Sequence, residues 1–309
     1  MEGITFYFDW EIRFMEWLQA AFGSGIFATI ANFLSMFGEE LIAVGVIGIV
    51  YLGIDKKAGK IISLNLIMGT VLTPMFKNVF FRRRPYFESD KIDCLRPVDK
   101  KAGIYDIHAQ GFSFPSGHST TAAAVFASLY TVFKKIFLAV LAVIIPVLVA
   151  FSRVFLGNHY PTDVLAGLAV GYILAFLLTF IQRKVKNIKL LYAVLLVVSL
   201  CGLFYCKTSD YFTGLGMLIG FMGAALFEER FVNFEISKNI PVTVLRVATG
   251  GAIFFGLNTI LKLPFSKEFL ANGSFASSIV RTCRYALTMF ITMGLYPMTF
   301  KIFARSSKE

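Results

Sequence analysis

"FSFPSGHSTTAAAVF", residues Phe112–Phe126, joins a polar turn to the start of a long apolar segment. Residues 115–117 are turn formers, and small alanines and threonines follow His118. A turn that opens a helix presents free backbone N–H groups, which bind anions. The small residues Thr120–Val125 favour close packing between membrane helices. The stretch therefore predicts an anion site with a titratable ring at the mouth of a membrane helix.

The composition indicates a membrane protein. The chain has 309 residues, of which 57% are hydrophobic and 16% are charged, and its mean hydropathy is +0.70. A soluble domain carries about a quarter charged residues, which argues against a soluble enzyme. Apolar runs of roughly 20 residues, long enough to cross a bilayer, recur along the whole chain. The sequence predicts an all-α, polytopic helical membrane protein.

Nine apolar segments predict about nine transmembrane helices, at residues 31–53, 60–80, 117–133, 136–155, 162–182, 188–206, 211–227, 241–262 and 276–300. The N-terminus lacks a basic region followed by a small-residue cleavage site, so no cleavable signal is expected. It is expected to form an interfacial amphipathic helix with Trp10 and Trp17 as anchors. The four cysteines show neither a paired framework nor metal-ligand spacing.

The net charge is +11, and most of the basic residues lie in short loops between apolar runs. Membrane topology, anionic lipids and phosphate binding explain it better than nucleic acid, which is not an expected partner. Basic connections at 55–60, 134–135 and 183–189 predict cytoplasmic loops. The loop 81–116 and the turn 153–162 are then extracytoplasmic. The loop 81–116 is itself basic, which violates the charge rule, but a phosphate site needs such charges on either side of the membrane.

Three sequence clusters lie at this predicted extracytoplasmic face. They are KNVFFRRRP at 77–85, PSGH at 115–118 and SRVFLGNHYPTD at 152–163. The span assignment places them at the ends of four different spans. Charged residues at membrane depth are costly and are functional candidates by default.

The cations of these clusters suit a phosphate group. Lys77, Arg84 and Arg153 supply three positive charges, and two of them are guanidinium forks that match phosphate oxygens. Ser116 and Gly117 add the backbone N–H groups of a helix start, where glycine permits close approach.

Two histidines flank the expected anion site. Asp163 follows His159 by four residues, and Pro161 is placed to start a helix between them. This spacing lets the carboxylate hold one ring nitrogen as N–H and leaves the other lone pair free to attack. His118 has no carboxylate near it in the sequence and is better placed to donate a proton to a leaving oxygen.

These residues make the chain resemble the type 2 phosphatidic acid phosphatase superfamily, which also includes vanadium haloperoxidases and glucose-6-phosphatases. The family pattern K-x6-R-P, P-S-G-H and S-R-x5-H-x3-D is complete here, from Lys77 to Asp163. The resemblance covers about residues 30–185. It implies a phosphatase-like core at 30–185, with an interfacial segment at 1–29 and additional transmembrane helices at 186–309.

The resemblance implies hydrolysis of a lipid phosphomonoester or diphosphate through a phosphohistidine. His159 is then the nucleophile, Asp163 orients it, and His118 protonates the leaving lipid alcohol before activating water. The residues expected to hold the phosphoryl oxygens are Lys77, Arg84, Ser116, Gly117 and Arg153. Neither a metal nor another cofactor is implied, because the cationic cradle takes over the charge stabilisation. The substrates it suggests are phosphatidic acid, phosphatidylglycerol phosphate, an isoprenyl diphosphate or a sphingoid phosphate.

Alternative functions remain open at this stage. A phosphotransferase on the same scaffold would hand the phosphoryl group to an alcohol acceptor, and a sugar phosphatase would need only a different mouth to the site. A lipid transporter or flippase is a third alternative, although residues 190–309 lack clear inverted halves or broken-helix signals. The expected location is the plasma (inner) membrane, with the site on the extracytoplasmic face. The oligomeric state stays open, a homo-oligomer included.

Other charged residues receive structural interpretations. His108 is expected to be an ordinary loop residue, and Arg82 and Arg83 are expected to be lipid-headgroup anchors. Arg246 is expected to reach the Glu228–Glu229 pair. Arg281 and Arg284 share one face of the last span. An ion pair with a carboxylate such as Glu39 or Glu40 is favoured for them over contact with a lipid headgroup.

Overall fold

The structure is a computed structural model of the chain and describes residues 3–23 and 25–300. The described residues form fourteen α-helices and no β-sheet, which confirms the all-α prediction. The first seven are α1 Asp9–Phe22, α2 Gly25–Ser35, α3 Glu40–Ile49, α4 Lys56–Phe80, α5 Ile107–Gln110, α6 Gly117–Phe133 and α7 Ile136–Phe155. The others are α8 Pro161–Ile173, α9 Thr179–Lys184, α10 Ile188–Leu200, α11 Ser209–Phe227, α12 Ile240–Ile260, α13 Lys267–Ala271 and α14 Phe275–Phe290.

Short π-helical and 3-10 segments extend several of these helices. The π-helical segments are Val50–Ile54, Leu174–Leu178, Glu228–Val232 and Ile291–Leu295. The 3-10 segments are Met36–Gly38, Pro85–Phe87, Cys201–Phe204 and Tyr296–Thr299.

The chain is an integral membrane protein. Among the described residues, five helices are long and apolar enough to cross a membrane: α4, α7, Pro161–Lys184, Ser209–Val232 and α12. Gly25–Gly38 and Glu40–Ile54 count as a sixth span if they are taken together, and Ile188–Phe204 is a shorter apolar helix.

The expected count of nine spans is not confirmed. Helix α6 has only 17 residues, and α14 contains Arg281 and Arg284, which lower its hydropathy. The span expected at 31–53 is interrupted, because Glu39 leaves the helix in an extended conformation. The carboxylate of Glu39 forms an ion pair with Arg96.

The first of two compact units comprises the residues up to Ala43 together with Leu72–Phe180. Within it, α8 packs closely on α6 through two glycines. A Cβ on Gly167 would lie 2.4 Å from the carbonyl oxygen of Ser116, and one on Gly171 would lie 2.6 Å from that of Thr120. Only glycine permits this approach. The N-terminal ends of α6 and α8 are therefore held side by side.

Helix α1 is packed into the same unit. Met15 and Leu18 on its inner face are buried in a hydrophobic cluster with Val154 at the end of α7. Its outer face exposes Trp10 and Trp17. The helix is amphipathic as expected, and the anchoring role of the two tryptophans stays a prediction. The apolar face of an interfacial helix is expected to contact lipid, but the buried face of α1 contacts protein.

The second unit comprises Val44–Val71 and the described residues from Ile181 onward. Helix α14 packs along α11, where a Cβ on Gly216 would lie 2.4 Å from the carbonyl oxygen of Thr282. One on Gly220 would lie 2.2 Å from that of Ala286. The G-x-x-x-G spacing of Gly216 and Gly220 permits this close contact between the two helices.

A buried carboxylate pairs with two lysines in this second unit. Glu228 lies 3.1 Å from Lys56 Nζ and 2.7 Å from Lys60 Nζ. Arg246 was expected to reach the Glu228–Glu229 pair, and this is wrong for Glu228, whose carboxylate is paired with the two lysines. Arg246 Nη1 instead donates to the backbone carbonyl of Glu235 at 2.9 Å.

Candidate active site

His159 and Asp163 lie on the connection between α7 and α8. Pro161 occupies the first turn of α8, and Asp163 accepts a hydrogen bond from the backbone N–H of Tyr160 at 2.8 Å. This bond closes the first helical turn, as expected for an acidic residue at the third helical position. His159 Nδ1 lies 3.4 Å from Asp163 Oδ2, and both side chains are buried. The carboxylate therefore faces the imidazole that the sequence paired it with.

Asp163 is held at both carboxylate oxygens. Arg82 Nη1 donates to Oδ1 at 2.6 Å. The hydroxyl of Ser113 donates to Oδ2, as does the backbone N–H of Tyr160. Three donors from separate segments thus restrict the rotation of the carboxyl group and fix its orientation toward His159.

Arg82 is a buried structural cation, and its expected role as a headgroup anchor is wrong. Its side chain is only 1% exposed. Besides Asp163, it contacts Glu11, whose Oε2 lies 2.7 Å from Arg82 Nη2. Its guanidinium also lies over the ring of Tyr160, 3.9 Å from the centroid. Arg82 is therefore enclosed by two carboxylates and an aromatic ring.

Glu11 connects α1 to the first turn of α8. Its Oε1 accepts from the backbone N–H of Thr162 at 3.0 Å and from the Thr162 hydroxyl at 2.6 Å. Glu11 and Arg82 are 71 residues apart in the chain, so neither local spacing nor hydrophobic periodicity indicates that they pair. We refer to Glu11, Arg82 and Asp163 as the buried ion-pair chain.

The two motif arginines are buried and held in place by neighbouring oxygens. Arg153 Nη1 donates to the hydroxyl of Ser35 at 2.9 Å. Arg84 donates from Nε to the carbonyl of Gln110 at 2.9 Å and from Nη1 to that of Asn158 at 2.9 Å. Arg153 Nε is buried and has no hydrogen-bond partner among the described residues. A buried guanidinium with an unused donor is suited to an anionic ligand.

Ser116 caps α6, as the turn predicted. Its Oγ accepts from the N–H of Ser119 at 3.4 Å, and its own N–H donates to the carbonyl of Asp163 at 3.0 Å. Its N–H is therefore already occupied. The N–H groups of Gly117 and His118 make no such bond within the described residues. These two groups, rather than that of Ser116, are the backbone donors open to an anion at this helix start.

His118 packs against Gly38, the last residue of the 3-10 segment that follows α2. A Cβ on Gly38 would lie 2.7 Å from the carbonyl oxygen of His118 and 2.8 Å from its Cβ. The positive charges of Arg153 and Lys77 act on His118. All eight residues predicted from the motifs lie in the first compact unit. His108 is exposed on the short helix α5.

The environment of His159 favours its neutral form. Burial lowers the pKa of His159 well below its ordinary value of 6.5, and the positive charges of Arg84, Arg153 and Lys77 lower it further. The backbone carbonyl of Ser113 acts in the opposite direction but is the smaller effect. A lowered pKa keeps a ring lone pair available at neutral and mildly acidic pH, which a nucleophile requires.

We expect His159 to stay neutral on acidification to about pH 6 in the absence of ligand, because its pKa lies below the ordinary histidine range. The chain has three histidines, so 15N-histidine labelling gives few signals. A pH titration by NMR, with the His159 signal assigned by its loss in His159→Ala, measures the midpoint directly. A midpoint at or above 6.5 would contradict this expectation.

Comparison with known proteins adds the following matches. Residues 58–187 match the PAP2 superfamily, and residues 212–308 match the PAP2 superfamily phosphatase, transmembrane extension. The first match contains every motif residue from Lys77 to Asp163. No solved structure matches the chain significantly.

Three curated relatives share the motif region. Phosphatidylglycerophosphatase B of Bacillus subtilis is 41% identical over 92 residues, which cover 27% of this chain and 45% of the relative. Undecaprenyl-diphosphatase BcrC of the same species is 36% identical over 111 residues, 36% of this chain and 51% of the relative. Lipid A 1-phosphatase of Rhizobium etli is 34% identical over 114 residues, 37% of this chain and 45% of the relative. The chain thus matches about half the length of each.

Proposed function

Because the chain belongs to the PAP2 superfamily, we propose that it is an integral-membrane lipid phosphate phosphatase that works through a phosphohistidine. The observation that carries the proposal is the buried His159–Asp163 pair, 3.4 Å apart, in the field of three motif cations. A neutral imidazole beside a fixed carboxylate is an activated nucleophile. The cations supply the electrostatic stabilisation that a phosphoryl group in transfer requires.

In the proposed first step, a ring nitrogen of His159 attacks the terminal phosphorus. The N–P bond forms while the bond from phosphorus to the leaving oxygen breaks, and His118 donates a proton to that oxygen. The positive charge that develops on His159 is stabilised by Asp163, which keeps the ring oriented. Arg84, Arg153 and the free backbone N–H groups at the start of α6 bind the phosphoryl oxygens.

In the proposed second step, water replaces the lipid. His118, now neutral, accepts a proton from the water as its oxygen bonds to phosphorus and the N–P bond breaks. Inorganic phosphate leaves, and both histidines return to their starting states. No step uses a metal ion, because Lys77, Arg84 and Arg153 provide the positive charge that balances the phosphoryl group.

The relatives suggest the class of substrate. Their names specify phosphatidylglycerophosphate, undecaprenyl diphosphate and lipid A, which share a terminal phosphate on a lipid. We propose a substrate of this type, with phosphatidic acid, phosphatidylglycerol phosphate, isoprenyl diphosphates and sphingoid phosphates as the candidates. A site at the ends of membrane helices lets the lipid tail stay in the bilayer while the headgroup binds.

A phosphate-release assay tests the function. We expect the purified, detergent-solubilised protein to release inorganic phosphate from at least one member of this lipid panel. We expect activity to survive EDTA, and vanadate to inhibit because it adopts the five-coordinate geometry of a phosphoryl group in transfer. Transfer of labelled phosphate to an added alcohol instead of water would favour a phosphotransferase. A requirement for Mg²⁺ would contradict the mechanism.

We further propose that the active site faces the extracytoplasmic side of the plasma membrane, since the most basic short loops lie at the opposite ends of the helices. Single cysteines at the exposed positions Lys100 and Lys186 test this in a variant without the four native cysteines. A membrane-impermeant maleimide should label Lys100→Cys in intact cells, and Lys186→Cys only after permeabilisation. The reverse pattern would invert the topology.

A further inference from the structure

Helix α14 has a polar face that the catalytic proposal does not use. Residues spaced three or four apart place polar groups along one side of the helix and its π-helical continuation: Ser277, Arg281, Arg284, Thr288 and Thr292. On the other side, Ile279 and Leu287 are exposed. The apolar side chains thus point outward and the arginines and threonines inward, which is typical of a helix in lipid rather than in water.

The contact with α11 places this polar face at membrane depth. Helix α11 belongs to the candidate span Ser209–Val232, and α14 packs along it at Gly216 and Gly220. Two arginines at such a depth need a compensating interaction, because an isolated charge in the hydrocarbon region is strongly destabilising.

Arg284 is buried without full use of its donors. The residue is 4% exposed, and Nη2 donates to Asn258 Oδ1 at 2.7 Å. Arg284 Nε and the hydroxyl oxygen of Thr288 are buried and have no hydrogen-bond partner among the described residues. Arg153 in the candidate active site shows the same feature at Nε. The two donors on α14 therefore point to a ligand that accepts hydrogen bonds.

No carboxylate neutralises the two arginines within the described part of the chain. Neither Arg281 nor Arg284 forms a salt bridge there, and the positive charge of Arg281 acts on Arg284. Glu39, one of the two carboxylates expected to pair with them, forms an ion pair with Arg96. The buried carboxylate of the second unit, Glu228, is paired with lysines. A bound anion would supply the counter-charge that the described residues do not.

The polar face of α14 is partly exposed at Arg281 and buried at Arg284 and Thr288. Helix α12, which supplies Asn258, buries only Gly250 and Phe254 among its residues. Arg281 itself is partly exposed. Side chains on a helix point back toward its N-terminus, and arginine extends its charged end toward the headgroup region. The guanidinium groups therefore point toward one membrane surface.

We propose that Arg281 and Arg284, with Thr288, bind the phosphate group of an anionic phospholipid. Two guanidinium groups three residues apart can donate to the oxygens of a single phosphate, and Arg284 Nε and the Thr288 hydroxyl are free to join them. The ligand is a lipid that supports the transmembrane extension, not the molecule that is hydrolysed. The proposal stands independently of the catalytic mechanism.

The test measures lipid retention by native mass spectrometry of the detergent-solubilised protein. Dioleoylphosphatidylglycerol, dioleoylphosphatidylcholine and inorganic phosphate are the three probes. We expect the wild type to retain phosphatidylglycerol in preference to phosphatidylcholine. Arg281→Gln and Arg284→Gln should each weaken phosphatidylglycerol binding about tenfold, the effect of losing one charge-assisted hydrogen bond. Arg284→Lys keeps the positive charge but loses the forked guanidinium. Its affinity for phosphatidylglycerol should lie between that of the wild type and that of Arg284→Gln.

Lys267→Gln is the matched control, because it removes one positive charge from an exposed side chain of the same unit. It should bind phosphatidylglycerol as the wild type does. If Arg284→Gln misfolds, as judged by its melting temperature, the partly exposed Arg281 still provides the test. Equal retention in the arginine variants and the control would overturn the proposal. Competition by millimolar inorganic phosphate as strong as that by phosphatidylglycerol would overturn the assignment to a lipid headgroup.

Discussion

His159→Ala is expected to abolish both turnover and the covalent intermediate. Without the imidazole no N–P bond can form, and loss of a nucleophile typically lowers kcat by several orders of magnitude, about 10⁶-fold in a well-studied case. An acid-labile phosphohistidine should be trapped from the wild type with 32P-labelled substrate and be absent from His159→Ala. Removal of the buried imidazole leaves a small cavity that lowers stability. The melting temperature of the variant should therefore be measured together with its activity.

His108→Ala is the matched control for this substitution, because it removes an exposed histidine outside the motifs. It should keep wild-type turnover and the labelled intermediate.

Asp163→Asn should bind substrate but turn over about 10⁴-fold more slowly, since an amide does not stabilise the developing imidazolium. Continued turnover by well-folded His159→Ala would refute the phosphohistidine mechanism.

The second large effect is expected from Arg82→Gln, a residue outside the family motif. It removes the cation of the buried ion-pair chain and leaves the carboxylates of Glu11 and Asp163 facing each other. Breaking a buried pair in this way costs about 3–5 kcal/mol of stability. Asp163 also loses its Oδ1 donor, and a misplaced positioning group can lower kcat about a hundredfold. Thermal unfolding and steady-state kinetics measure the two effects.

A second substitution separates positioning from stability. Adding Glu11→Gln to Arg82→Gln removes the carboxylate repulsion, so we expect the melting temperature to recover in part. The value of kcat should stay low, with KM little changed, because Asp163 still lacks the Arg82 donor. Arg83→Gln, which removes the adjacent and less buried arginine, is the control. Recovery of kcat together with stability would show that Arg82 has only a structural role.

Much of the candidate site was predictable from local sequence. The capping role of Ser116, the helix start at Pro161 and the facing of His159 and Asp163 depend on residues within a few positions of one another. Such features follow from backbone geometry that neighbouring residues set together. The grouping of the three motifs in one unit followed from their common location at the ends of predicted spans.

Other parts of the site could not be predicted because they depend on distant partners. In the sequence RRR at 82–84, two further arginines precede the motif residue Arg84, and only packing decides that Arg82 turns toward Asp163 and Glu11. The role of α1 was missed for the same reason. Its amphipathic pattern reports an apolar face but does not say whether lipid or protein covers that face.

The sequence by itself determined the class of protein, the residues of the motifs and the local turns that present them. Hydropathy and short-range spacing are properties of contiguous residues, and both can be read along the chain. Only the tertiary structure decided the partners of the buried charges: Arg82 with two carboxylates, Arg153 with Ser35, and Arg284 with Asn258. A charge in a low-dielectric interior takes whichever partner packing brings within reach, and that depends on segments far apart in the chain.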